Sequence, residues 1–241
     1  MHPNTANRDL GAMRALYRAY WEHEGGTDRP SPFEEMRFSA SQHKDVPPFS
    51  DEWIKTKILV PGAFGRLNIE ATLIFLALVE TGCRPSEIAN LREENIVLDH
   101  EVPHLSLKNR DDRKLKSRSS VRKIPLLGVS LEALKRAPRG FPKYRDKSAS
   151  LSATLLKSFR ANGLLPTKDH YIYSIRHSLE KRMLEAELDY GLRCLLMGHH
   201  DRRPQYGGGG SLEFRRDQLA KIVYPLPDGL FAAIDEKLAA K

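Results

Sequence analysis

The segment from Asn68 to Glu80 is so rich in apolar residues that a helix built from it has no water-facing side. Such a helix is stable only when other elements wrap it. The longest apolar stretch, Ala71 to Val79, is far below the ~20 residues that cross a bilayer. It therefore predicts a buried core helix. Gly82 ends it, and Pro85, Ser86 and Glu87 open the next helix, because proline is preset for the first helical position. Arg84 is then held just outside a helix N-terminus, in the extended geometry that precedes proline. With 241 residues, 40% of them hydrophobic, the chain has material for one full domain and a small appendage.

Around this core the pattern is mostly helical. Asn7 to Glu24 has helical spacing, stopped by Gly25 and Gly26. Gly25 to Pro48, with Pro30, Pro32, Pro47 and Pro48 in a polar stretch, reads as a surface linker. Ser50 opens a helix with Asp51 and Glu52 in its first turn. Three short strands are expected at Asn95 to Leu98, Pro103 to Lys108 and Val121 to Leu126, the last two flanking a hairpin tip. Further helices are expected at Ser130 to Arg136, Ser150 to Asn162, Tyr173 to Glu187, Asp189 to Met197, Leu212 to Ile222 and Leu230 to Ala239. Ile172, Ile175, Leu179 and Met183 form a buried stripe. The expected fold class is α+β, mainly α-helical with a small antiparallel β-sheet.

The net charge is +8, and it is concentrated. Lys108, Arg110, Arg113, Lys114, Lys116, Arg118, Arg122 and Lys123 crowd one segment against only Asp111 and Asp112. A basic stripe of this kind marks a nucleic-acid face, although a solvated hairpin with no partner gives the same composition. Cys83 and Cys194 have no paired spacing, which argues against a disulfide framework and for a reducing compartment. The first residues lack the apolar run of a signal peptide. A cytoplasmic protein without a membrane span is expected.

Three segments carry more information. The first is TGCRPSEIANL, from Thr81 to Leu91. The second is RKLKSRSSVRKIPL, from Arg113 to Leu126. The third is YSIRHSLEKRMLEA followed by LLMGHH and RRPQYG. Together, in this order and spacing, they resemble the phage-integrase family of tyrosine recombinases over about Pro48 to Ile222. The resemblance implies the catalytic fold of that family. It also implies a double-stranded DNA substrate and cleavage and rejoining through a covalent 3′-phosphotyrosine, with no metal or other cofactor. It makes Arg84, Lys116, Tyr173, Arg176, His199 and Tyr206 the catalytic set, with Glu87 and His177 behind it. DNA contacts would come from Lys108, Arg110, Arg113, Lys114, Arg118, Arg122, Lys123, Arg202 and Arg203. Residues 1–47 would be the remnant of a core-binding domain and its linker, and residues 48–241 the catalytic domain. A homo-oligomer on DNA, a tetramer, would form through the C-terminal helix docking in trans by Leu230, Phe231 and Ile234. The implied setting is bacterial or phage-encoded, on the nucleoid.

The residue types suit that chemistry. Guanidinium groups stay charged and offer a planar fork of donors to a phosphodiester. A tyrosine phosphodiester retains the energy of the broken bond, so another 5′-hydroxyl can attack it. Lysine on a loop can protonate the leaving oxygen. The glycines Gly207 to Gly210 would let the tyrosine segment move. One position departs from the family: Tyr173 stands where histidine is usual, three residues before Arg176. Tyrosine can donate a hydrogen bond to phosphate but is a poor base at neutral pH. The residues also admit plainer roles. Arg84 could cap a helix, Lys108 or Lys114 could replace Lys116, and Tyr206 could be an ordinary turn residue. His177 reads as structural, bonding the nearby backbone, and Tyr171 as packing. His199 with His200 lacks a third ligand for a metal. A type IB topoisomerase or a DNA-binding protein without catalysis would present much the same motifs.

Overall fold

The computed structural model describes residues 3–26, 29–39, 45–115, 117–201 and 207–240. It divides into two compact units, Met1–Asp45 and Val46–Lys241. In the first, helix α1 (Pro3–His23) is followed by a segment that folds back on it. Asn7 exchanges two hydrogen bonds with the backbone of Phe38, each 2.9 Å. Arg14 donates to the carbonyls of Phe33 and Met36. The expectation of a plain linker is corrected on this point: residues 29–39 are held against α1 because an arginine and an asparagine satisfy their backbone.

In the second unit, Ser50 caps helix α2 (Asp51–Trp53) by accepting from Trp53 N at 3.2 Å, and a wide π turn, Ile54–Ile58, continues it. Asn68 caps α3 (Ile69–Thr81), whose residues from Ala71 to Thr81 are all buried. Helix α4 (Pro85–Ala89) follows directly. Strands β1 (Ile96–Val97), β2 (His104–Leu107) and β3 (Arg122–Pro125) form one antiparallel sheet in the order β1-β2-β3. Its registers pair Ile96 with Leu105, Leu105 with Ile124, and Leu107 with Arg122. Helices α5 (Gly128–Lys135), α6 (Ser148–Ala161), α7 (Ser174–Glu185) and α8 (Tyr190–Met197) complete the wrap. α3 packs along α5 and α7, while β3 touches α8 and the next helix, α9 (Leu212–Ala220). The α7 stripe expected from sequence is buried, with Ile172, Ile175, Leu179 and Met183 in the core. Among the described residues, no helix is long and apolar enough to cross a membrane.

The last helix, α10 (Ala232–Ala239), packs on its own unit in the single chain. Leu230, Phe231 and Ile234 are buried in the chain's own core. Arg136 makes a two-pronged ion pair with Asp235, at 2.6 and 2.8 Å, and lies over the Phe231 ring. The approach to this seat is fixed by Glu80, a buried carboxylate that accepts from Tyr224 N and Ser130 N. Truncation after Tyr224 is therefore expected to destabilise the isolated chain by several kcal/mol, at about 1.5–3 kcal/mol per buried apolar side chain. Urea unfolding checks this, and an unchanged midpoint would mean that the helix contributes nothing in cis.

Candidate active site

Two helix ends meet at the centre of the second unit. α3 stops at Gly82 and α8 stops at Gly198, both in left-handed backbone with φ of 60° and 62°. Glycine is the residue that reaches this geometry without strain. The two turns also leave no room for side chains. A Cβ on Gly82 would sit 2.7 Å from Met197 Sδ, and one on Gly198 would sit 2.7 Å from Arg122 Nη1. The carbonyls released at these ends, which a helix cannot satisfy by itself, become the acceptors that aim the arginines.

Arg84 occupies the N-cap of α4 with extended backbone, φ −74° and ψ 146°, as the following proline requires. Its Nη1 donates to Glu87 Oε1 at 2.7 Å and to Ser120 Oγ at 3.2 Å, and its Nη2 donates to the Gly198 carbonyl at 3.3 Å. Glu87 Oε2 accepts from the Arg84 backbone N–H at 2.8 Å, the carboxylate half of a capping box, since a guanidinium cannot accept in return. Arg176, projecting from the first turn of α7, is 2% exposed. It donates to the carbonyls of Gly82 and Met197, and its Nη2 lies 2.9 Å from His199 Nε2. Arg84, Arg176 and His199 thus converge on one spot, held by the same pair of helix ends. Tyr173, at the N-cap of α7, is 37% exposed, with its ring centroid 5.8 Å from the Arg176 guanidinium. His177 meets that ring edge-on.

Arg122 was assigned to the DNA-facing stripe, and this is corrected: its side chain is only 1% exposed. It donates to both Glu87 oxygens, at 2.9 and 3.3 Å, to the Leu196 carbonyl at 3.0 Å and to the Ser120 carbonyl at 2.9 Å. It ties strand β3, helix α4 and the end of α8 together directly behind Arg84. A signal for this was present. Arg122, Ile124 and Leu126 share one face of a strand and are buried, while Val121 and Lys123 are exposed. Arg110 and Arg113 are also partly engaged within the chain. Arg110 donates to Asn90 O, Asn95 Oδ1 and Asp112, and Arg113 to Asp146 and Ser86 O. Lys108, Lys114 and Lys123 are exposed. Lys116, Arg202, Arg203 and Tyr206 lie outside the described residues, as does the side chain of Arg118.

The electrostatics follow from crowding. Burial alone would raise the Glu87 carboxyl, but the Arg122 hydrogen bonds and charge, with the Arg84 backbone N–H and charge, hold it below the ordinary carboxylate value. Burial, then the Arg176 charge, pushes His199 below the usual imidazole range, so it is neutral at pH 7. Burial pushes the Cys83 thiol up to about 11, so it stays protonated beside Arg122. Three guanidinium groups, Arg84, Arg122 and Arg176, around the single Glu87 carboxylate leave a surplus of positive charge. Among the described residues, no group of three or more His, Cys, Asp or Glu is placed to hold a metal ion.

No protein-family model matches the chain, and no curated protein matches it. Solved structures do. The Tn1549 transposon integrase in complex with transposon right-end DNA matches with a TM-score of 0.59 at 16% identity, covering 98% of this chain and 80% of that one. The integrase from mycobacterium phage Brujita matches with a TM-score of 0.55 at 19% identity, covering 96% and 77%. The chain has the tyrosine-recombinase integrase fold. A further Tn1549 integrase structure, in complex with circular intermediate DNA, gives a TM-score of 0.58 at 16% identity over 98% and 81%. At these identities the likeness is one of fold. The fold is the architecture expected from the sequence: a mainly helical unit with a small antiparallel sheet.

Proposed function

We propose that this chain is a site-specific DNA recombinase that cleaves and rejoins DNA through a 3′-phosphotyrosine on Tyr206. The observation that carries the reading is the convergence of Arg84, Arg176 and His199, with a surplus of positive charge, at the meeting of two helix ends. A phosphodiester is the ligand such a group suits, because several fixed donors meet its non-bridging oxygens as charge builds in the transition state. Tyr206 attacks phosphorus, the bond to the 5′-oxygen breaks, the tyrosyl proton is released, and Lys116 protonates the leaving oxygen. A 5′-hydroxyl reverses the sequence on another strand. Tyr173 adds a hydrogen bond to the phosphate and does not act as a base. The positive charge of arginine and lysine takes the place of a metal or high-energy cofactor. Assembly on DNA as a homo-oligomer, a tetramer on paired sites, belongs to the same reading and requires α10 to leave its cis seat before it docks in trans. So does a cytoplasmic setting on bacterial or phage DNA.

The test is a covalent trap. The protein is incubated with nicked duplexes of random central sequence, denatured in detergent, and examined for attached DNA. An adduct is expected with the unmodified protein and none with Tyr206→Phe. An adduct that persists in Tyr206→Phe, or none from a form that binds DNA tightly, would overturn the proposal.

A further inference from the structure

Two of the four glycines after Tyr206, Gly209 and Gly210, pack closely against neighbouring side chains. Gly208, Gly209 and Gly210 adopt φ of 62°, 79° and 81°. A Cβ on Gly209 would lie 2.4 Å from Leu195 Cδ1, and one on Gly210 would lie 2.6 Å from Phe214 Cδ1. These glycines allow a close approach to α8 and α9, which is a reason for glycine separate from mobility.

One side chain gathers the turn. Arg215, on α9, donates through Nη2 to the Gly208 carbonyl at 2.7 Å and through Nε to the Gly209 carbonyl at 3.2 Å. Its Nη1 donates to the Lys123 carbonyl on β3 at 3.0 Å. Two successive glycine carbonyls and one strand carbonyl thus share a single guanidinium. The next residue along β3 toward the N-terminus is Arg122, which grips Glu87 and the end of α8. The arginines that would hold the phosphate, and the chain immediately after the nucleophile, are therefore referenced to the same strand.

We propose that Arg215 is a positioning residue for the nucleophile: it fixes the glycine turn that follows Tyr206 to strand β3. The inference rests on Tyr206 being the nucleophile. Its physical basis is the sensitivity of in-line attack to placement, since an error of about 1 Å costs on the order of 100-fold in rate. Alanine at 215 frees three carbonyls and lets the turn drift. Lysine can serve one of them at a time, because it offers a point charge and not a fork.

The experiment uses the full chain with Arg215→Ala and Arg215→Lys. It measures DNA affinity, melting temperature and the rate of covalent adduct formation at saturating nicked duplex. Arg215→Ala is expected to form adduct about 10- to 100-fold more slowly, with DNA affinity unchanged. Arg215→Lys recovers part of the rate, and added methylguanidinium accelerates Arg215→Ala but not the unmodified protein. An Arg215→Ala rate equal to the unmodified protein overturns the inference. So does a slow rate that neither lysine nor methylguanidinium relieves and that tracks weakened DNA binding or a lowered melting temperature. Failure of the nucleophile reading is distinct, because it appears with Arg215 intact, as an adduct that survives Tyr206→Phe. That outcome removes this inference as well.

Discussion

Arg176→Ala is expected to lower covalent adduct formation by about 10²- to 10³-fold, the usual cost of removing one donor aimed at transition-state charge. The loss should fall on the rate at saturating DNA more than on affinity. Arg176 is 2% exposed and already oriented by the Gly82 and Met197 carbonyls, so the proposed role asks for no new ordering of its side chain. The same two carbonyls lose their donor in the variant. Each buried acceptor left unpaired costs about 1–3 kcal/mol, so the urea midpoint should also fall. Removing a large buried charge offsets part of this, since burial holds the guanidinium below its ordinary pKa. Arg176→Lys separates the two effects: it keeps a charge near the phosphate but cannot span Gly82, Met197 and His199 together. A single-turnover rate for Arg176→Ala matching the unmodified protein would exclude this arginine from the reaction.

Glu87→Ala is expected to be among the most destabilising single changes in the chain, at about 3–5 kcal/mol, because it strands a buried cation. Arg122 would keep its carbonyl partners but lose both carboxylate oxygens, with 1% of its side chain exposed to water. Arg84 would lose the acceptor of its backbone N–H and part of what aims its guanidinium. Removing both charges should be less harmful than removing one. Glu87→Ala combined with Arg122→Met is expected to regain a substantial part of the lost stability, and a double-mutant cycle in urea measures the coupling. Simple additivity would mean that the two residues do not interact in the folded state. The carboxylate also predicts a pH dependence. Its folded pKa is depressed, so its stabilisation is present above the ordinary value near 4.5 and is lost as pH falls through the lower folded value. Unfolding midpoints measured from pH 6 downward should drop on the acid side of that window, and this component should vanish in Glu87→Gln.

Much of the local structure was legible because its causes lie within a few residues of one another. The all-apolar α3, Gly82 ending it and Pro85 opening α4 follow from short-range rules of periodicity and backbone geometry. The three motifs assigned Arg84, Arg176 and His199 to one site by resemblance; in the folded chain Arg176 contacts His199, and Arg84 donates to the carbonyl of Gly198, the residue before it. What the sequence could not assign was the fate of each charge in the basic segment. Arg122, Arg110 and Arg113 read there as equal members of a DNA-facing stripe. The fold separates them: Arg122 pairs with Glu87, 35 residues away, and Arg113 with Asp146, 33 residues away. The cis seat of α10 is of the same kind, since Asp235 meets Arg136 across 99 residues. An arginine's solvation depends on which carboxylates and carbonyls the tertiary structure brings to it. Local sequence specified the helices, their ends and the residues able to hold a phosphate. Only long-range packing set Arg122 apart from the exposed Lys108, Lys114 and Lys123, because its guanidinium donates to Leu196 O, Ser120 O, Cys83 Sγ and both Glu87 oxygens and has no donor to spare for DNA.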